Sequence, residues 1–178
     1  MRFEIPFNEK ISREQSVFLF NMHWKEALKK NKNSLYIGVA ITLLGALIIY
    51  GKNNIGFLFI GIGAYLLLNF INHRRFYNQN KKIYFKTVDD NISGRLSQKS
   101  FAVWEFLEDN FCYSNYKFDL KIKWETIKTF KVINDYIILE LRDSIACNFI
   151  LEKEEVGIED FEKIIVFMES KIKKNGVL

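Results

Sequence analysis

Two uncharged apolar runs constrain this chain more than any other feature. Residues 34–50 read SLYIGVAITLLGALIIY, residues 55–71 read IGFLFIGIGAYLLLNFI, and only Gly51-Lys52-Asn53-Asn54 separates them. A run of 17 residues spans about 25 Å as a helix at ~1.5 Å per residue, the short end of what crosses a hydrocarbon core ~30 Å thick. Neither run carries the polar stripe that a helix packed on a soluble core shows at helical period. The expectation is a transmembrane hairpin, 34–50 and 55–71, with GKNN at its tip; the alternative is a hairpin buried in a soluble core. A cleaved secretory signal is not expected. Mostly polar residues fill positions 1–33, and no small-residue cleavage site follows the first run.

Charge is distributed around this block. The 178 residues carry a net +5. Residues 1–33 hold seven Lys/Arg against four Asp/Glu, residues 72–178 hold 18 against 17, and Lys52 supplies the remainder. Lys25, Lys29, Lys30 and Lys32 precede the first run, and Arg74, Arg75, Lys81, Lys82 and Lys86 follow the second. A near-neutral C-terminal part lacks the basic stripe expected of a nucleic-acid binder. Basic flanks suit anionic lipid headgroups instead, with Lys29, Lys30, Lys32, Arg74, Arg75, Lys81 and Lys82 as candidate headgroup contacts. With one Lys in the turn and many on both outer flanks, the positive-inside rule places both termini in the cytoplasm and GKNN outside.

Small residues recur within the runs. Gly38, Thr42 and Gly45 share one side of the first, and Gly56 and Gly63 lie seven apart in the second. Such faces allow close backbone approach where packing drives helix association in lipid, either within the hairpin or between copies of it. Gly61-Ile62-Gly63 lacks the third glycine of a dinucleotide loop and sits in an apolar run, so it is not read as a phosphate site. Asn69 is the one strongly polar side chain inside a run. A transporter or pore calls for buried charges along a pathway, and this hairpin has none.

The polar segments divide as residues 1–33, 72–100 and 101–178. Residues 2–7 alternate as a short edge strand, where Pro6 is tolerated. Ser12-Arg13-Glu14-Gln15 reads as a capping box opening a helix from about Arg13 to about Asn31. Val17, Phe20, Trp24 and Leu28 fall on one face of it, which would lie on the membrane or dock on the C-terminal domain. Residues 72–87 continue the second helix, and residues 89–94 read as a linker. From Phe101 the period becomes two, predicting strands at 101–107, 111–116, 119–124, 129–133, 136–141 and 145–150. Asn134-Asp135 and Arg142-Asp143-Ser144 read as hairpin turns. Short connections make this an antiparallel meander. Phe161, Ile164, Ile165, Met168 and Ile172 define the buried face of a closing helix, with acids in its first turn and Lys171, Lys173 and Lys174 in its last. The fold class is therefore α+β.

Cys112 and Cys147 lie in strand-like runs as small buried hydrophobes, without metal-ligand spacing. His23 and His73 have no ligand partner nearby in sequence. Trp104 and Trp124 read as core residues of a Phe-rich sheet. No nucleophile–base set, metal cluster or phosphate loop is evident, so neither an enzyme nor a cofactor is expected.

The stretch from about Phe101 to Ile172, preceded by two apolar spans, resembles the YcxB-like family of bacterial membrane proteins. The resemblance rests on Trp124-Glu125-Thr126-Ile127 followed by Asp135-Tyr136-Ile137-Ile138-Leu139, with Trp124, Ile127 and Tyr136 as the fold signature. The family often has an Ile-Pro-Lys-like turn after its last strand, where this chain reads FILEKE. The resemblance implies a pleckstrin-homology-like (PH-like) domain capped by the C-terminal helix, and it carries over no catalytic residues. The function expected is that of a non-enzymatic inner-membrane protein presenting a cytoplasmic binding or oligomerisation module. Its partners would be anionic lipid, a second copy or another membrane protein. The alternative is an immunity or envelope-stress protein that neutralises a toxin or membrane partner by binding. A hydrolase or channel component is a third, weaker possibility.

Overall fold

The computed structural model describes residues 1–98, 101–142 and 148–172, and for Asn148 its backbone only. The predicted turn at Asp143-Ser144, the strand start at 145–147 with Cys147, and the terminal Lys173 and Lys174 lie outside the described residues.

The elements run β1 (Arg2–Pro6), α1 (Glu9–Tyr50), α2 (Gly56–Ser97), β2 (Phe101–Phe106), β3 (Asn110–Ser114), β4 (Asp119–Lys123), a 3-10 turn (Trp124–Thr126), β5 (Ile127–Ile133), β6 (Tyr136–Leu141), β7 (Asn148–Glu152), α3 (Lys153–Val156) and α4 (Ile158–Ile172). The chain forms two compact units, Met1–Gln15 with Asn91–Leu178, and Ser16–Asp90.

Four helical expectations need correction. The separate helices expected at 13–31 and 34–50 are one helix of 42 residues. No Gly or Pro interrupts residues 9–37, so nothing breaks the backbone ladder at the junction. The helix starts earlier than the Ser12 box implied, because Asn8 caps it. Asn8 Oδ1 accepts from the backbone of Lys10 at 3.0 Å and Ile11 at 3.3 Å, satisfying two orphan donors of the first turn. The linker expected at 89–94 is helical and belongs to α2, which also has 42 residues. The apolar face of the first segment rests on α2: the Phe20 ring lies 5.1 Å from Tyr84 and 5.5 Å from Phe85, and Trp24 lies 5.3 Å from Tyr77.

The GKNN turn is a helix stop with a defined mechanism. Asn53 N donates to Ile48 O and Lys52 N to Ile49 O, the paired bonds of a Schellman motif. The left-handed position falls on Lys52 (φ 62°), not on Gly51. Asn53 Oδ1 then accepts from Ile55 N at 3.0 Å, starting α2.

The meander is also corrected. It divides into two antiparallel sheets, β1-β2-β3-β4 and β5-β6-β7. Trp124 leaves the third predicted strand to open the 3-10 turn, β3 stops at Ser114, and β5 begins at Ile127 with a register shift before Thr129. The N-terminal strand is an edge strand as expected, but its partner was not foreseen. It pairs with β2 from Arg2↔Glu105 to Pro6↔Phe101, and the Met1 amine donates to Phe106 O at 2.9 Å. Both long helices are thus an insertion between two neighbouring strands.

The core of this unit joins Ile5, Trp104, Phe106, Phe111, Trp124, Ile127, Ile137, Leu139, Phe149 and Leu151 to Phe161, Ile164, Met168 and Ile172 of α4. The buried α4 positions recur at helical spacing, which is why the closing helix was legible. Because Ile5 closes the core from the far side of the insertion, Ile5→Ala should cost about 2–5 kcal/mol. Thermal unfolding followed by the core tryptophans measures this, and an unchanged midpoint would show that β1 is dispensable.

Candidate functional site: an inverted helical hairpin with a basic collar

Within the unit Ser16–Asp90, the apolar parts of α1 and α2 pack through glycine. Across 34–50 and 55–71 the buried positions are Gly38, Gly45, Gly56 and Gly63 and no others. A Cβ on Gly45 would lie 2.8 Å from Gly56 O, and one on Gly56 would lie 2.5 Å from Gly45 O and 2.6 Å from Ile49 Cγ1. A Cβ on Gly63 would lie 2.9 Å from Gly38 O. Thr42, beside Gly63, turns its hydroxyl to Gly38 O at 2.8 Å. The five small residues singled out in the sequence therefore meet one another inside the hairpin. Gly61 faces open space, with nothing within 4 Å of an added Cβ.

The large side chains point the other way. Leu43, Leu47, Phe57, Leu58, Tyr65 and Leu68 are all more than half exposed, Leu47 and Tyr65 at 67%. In water the hydrophobic effect would put these inward, at about 25 cal/mol per Å² of apolar area buried. A small-residue seam with bulky apolar residues outside is the arrangement that lipid favours.

The seam continues beyond the apolar block in steps of seven residues. Trp24, Asn31, Gly38 and Gly45 recur along α1, and Gly56, Gly63, Phe70, Tyr77 and Tyr84 along α2. The buried Asn31 donates from Nδ2 to Phe70 O at 3.3 Å, and Tyr84 Oη donates to Ser16 O at 3.2 Å. Glycine meets glycine in the apolar half and ring meets ring in the polar half. A sustained heptad keeps one seam in register along a supercoiled helix pair.

Lys29, Lys30, Lys32, Arg74, Arg75, Lys81 and Lys82 are all exposed. This unit holds ten Lys/Arg against three Asp/Glu, a net +7, which leaves −2 for the other. Lys29, Lys30, Lys32, Arg74 and Arg75 stand within five residues of an apolar run, about 7.5 Å along the helix and so within one Debye length. Lys81 and Lys82 lie roughly 15 Å beyond Ile71 along the helix, where attraction to a surface has faded. Lys32 Nζ sits 5.8 Å above the Tyr36 ring, and Arg74 sits 5.6 Å above Tyr77. Such cation–aromatic pairs suit a polar–apolar boundary.

The fold-signature residues lie in the other unit. Trp124 is buried, donates from Nε1 to Leu107 O at 3.1 Å and stacks on Phe106 at 6.4 Å. Ile127 is buried in the same core, and Tyr136 opens β6 opposite Glu152 of β7. For Trp124 and Ile127 these are packing roles. Sequence reasoning missed a polar cluster in this unit made of Gln15, Glu152 and Glu155. Glu152-Lys153-Glu154-Glu155 spaces two acids as a reciprocal cap, but glutamate is an unusual N-cap and the signal passes unnoticed. Among the described residues no group of His, Cys, Asp and Glu is arranged to hold a metal ion.

Comparison with family models, curated proteins and solved structures gave no match.

Proposed function

We propose that the chain is a bacterial inner-membrane protein whose glycine-seamed hairpin crosses the bilayer and carries a non-enzymatic, PH-like module on the cytoplasmic side. The observation that carries this is the inverted packing: four glycines inside and the large apolar side chains outside. The two helices are long and apolar enough to cross a membrane, and only 11% of each apolar window is buried, whereas a soluble core helix would be mostly covered. The β1–β2 pairing requires residues 2–6 and 101–106 to share one side of the bilayer, as a two-span insertion does. The collar argues that this side is the cytoplasm, since Lys/Arg near span ends sets orientation, and each basic side chain at an anionic surface adds about 1 kcal/mol. The four-plus-three strand order followed by α4 is the arrangement that the PH-like reading calls for, and kinship with YcxB-like proteins rests on the sequence resemblance alone. On this reading the module binds lipid headgroups, a second copy or a membrane protein.

Site-directed labelling tests the topology. In a chain with Cys112 and Cys147 replaced by Ser, Asn53→Cys should react with an impermeant maleimide in intact spheroplasts. Lys117→Cys should react only after permeabilisation. Protection of position 53 together with labelling of position 117 would reverse the orientation. Release of the protein by alkaline carbonate would remove the membrane reading altogether.

A further inference from the structure

Where β7 enters α3, two glutamates cap each other. The Glu152 carboxylate accepts the Glu155 backbone N–H, and Glu155 Oε2 accepts from Glu152 N at 2.8 Å. The same Glu155 oxygen accepts from Gln15 Nε2 of α1 at 2.6 Å. One oxygen stands out: Glu152 is only 8% exposed, and its Oε2 is buried without a hydrogen-bond partner. A bare carboxylate oxygen in that position is costly, and its surroundings are adverse. Glu14 faces the carboxylate from α1 and Glu154 and Glu155 from α3, while the Tyr136 phenol of β6, itself near Asp135 of the adjoining turn, hydrogen-bonds the Glu152 carboxylate and offsets part of that repulsion. The cation that acts on the pair is Arg95 of α2, which lowers the proton affinity of Glu155. That guanidinium already donates to Tyr113 Oη at 3.1 Å and lies 5.2 Å from the Phe7 ring. A cavity of about 50 Å³ touches Glu155, Gln15, Ser12 and Arg95, polar and large enough to admit water.

We propose that the Glu152–Glu155 pair is a proton-operated latch between the N-terminal part of α1 and α3, closed when the pair takes up one proton. A proton on Glu152 Oε2 turns an orphan acceptor into a donor and removes the repulsion between adjacent carboxylates, while Gln15 keeps its bond to Glu155. Burial, followed by the charges of Glu155, Glu154 and Glu14, raises the affinity of Glu152 for that proton, against the lowering effect of its hydrogen bond with Tyr136. Burial likewise raises that of Glu155, against the lowering effect of its hydrogen bonds and Arg95. The folded state therefore binds more protons than the unfolded state from the ordinary carboxylate range up to the raised pKa. Stability conferred by the latch grows as pH falls through that window and is lost above it.

Hydrogen exchange on the full chain in detergent micelles, corrected for intrinsic rates, reads the latch at the amides of residues 12–15 and 153–157. Protection should rise about threefold or more between pH 8 and pH 5. Glu152→Gln and Glu155→Gln should each flatten the slope while holding protection at pH 8 at or above that of the unmodified chain. Gln15→Ala should lower protection of residues 12–15 at every pH. A pH-independent unmodified chain, full slopes in both Gln variants, or a silent Gln15→Ala would each overturn the proposal. If Glu152→Gln fails to fold, the unmodified chain and Glu155→Gln decide.

Discussion

Gly56→Leu is expected to disrupt the hairpin, destabilising it by about 3 kcal/mol, the upper part of the range for forcing extra methylenes into a close-packed site. The clash is with backbone: an added Cβ meets Gly45 O at 2.5 Å and Ile49 N at 2.9 Å, and neither atom can move without moving the helix. Gly61→Leu, five residues along the same helix, is the internal control. It meets nothing within 4 Å, and leucine is a better helix former than glycine by up to about 1 kcal/mol, so it should be neutral or stabilising. Thermal unfolding in micelles compares the two. Equal losses would mean that the glycine seam does not hold the helices together, and a harmless Gly56→Leu would mean that α1 and α2 pack elsewhere.

On the proposed membrane reading, removing Ser16–Asp90 and joining Gln15 to Asn91 through a short Gly/Ser linker should convert a detergent-requiring protein into one that purifies without it. Every buried side chain of the β-unit core comes from the retained residues. The strands on either side of the cut already pair at Pro6↔Phe101. The product is about 100 residues long, the size at which domains unfold cooperatively with an enthalpy of about 60–80 kcal/mol. Calorimetry showing one such transition is the expected outcome. A product that aggregates, or that melts without cooperativity, would show that the insertion is needed to complete the core.

The fate of individual residues shows what local pattern can carry. The closing helix was legible because Phe161, Ile164, Met168 and Ile172 recur at helical spacing, and they are the buried residues of α4. The Asn134-Asp135 turn was legible because asparagine tolerates the left-handed conformation it adopts at φ 54°. The residues 89–94 were misread: Asp-Asp-Asn and Ser-Gly carry turn propensity, yet Ile92 is buried and the helix continues through them. Propensity is a weak prior that packing overrides. Of the candidate site, the glycines were visible as a pattern but their partners were not. The Gln15–Glu155 bond joins residues 140 positions apart, and no local signal marks it.

What the sequence determined by itself was local chemistry: two spans without charge, a basic collar on each outer flank, a period-two region and an amphipathic closing helix. Each follows from side chains a few residues apart, where periodicity is set by backbone geometry. The tertiary structure decided everything that depends on meeting across distance. It pairs β1 with β2 across an insertion of two 42-residue helices, splits the strands into two sheets, and places two glutamates against the root of α1. The physical reason is the same in each case. Hydrogen-bond partners, close backbone approach and the burial of a charge are properties of neighbours in space, and a linear pattern does not record who those neighbours are.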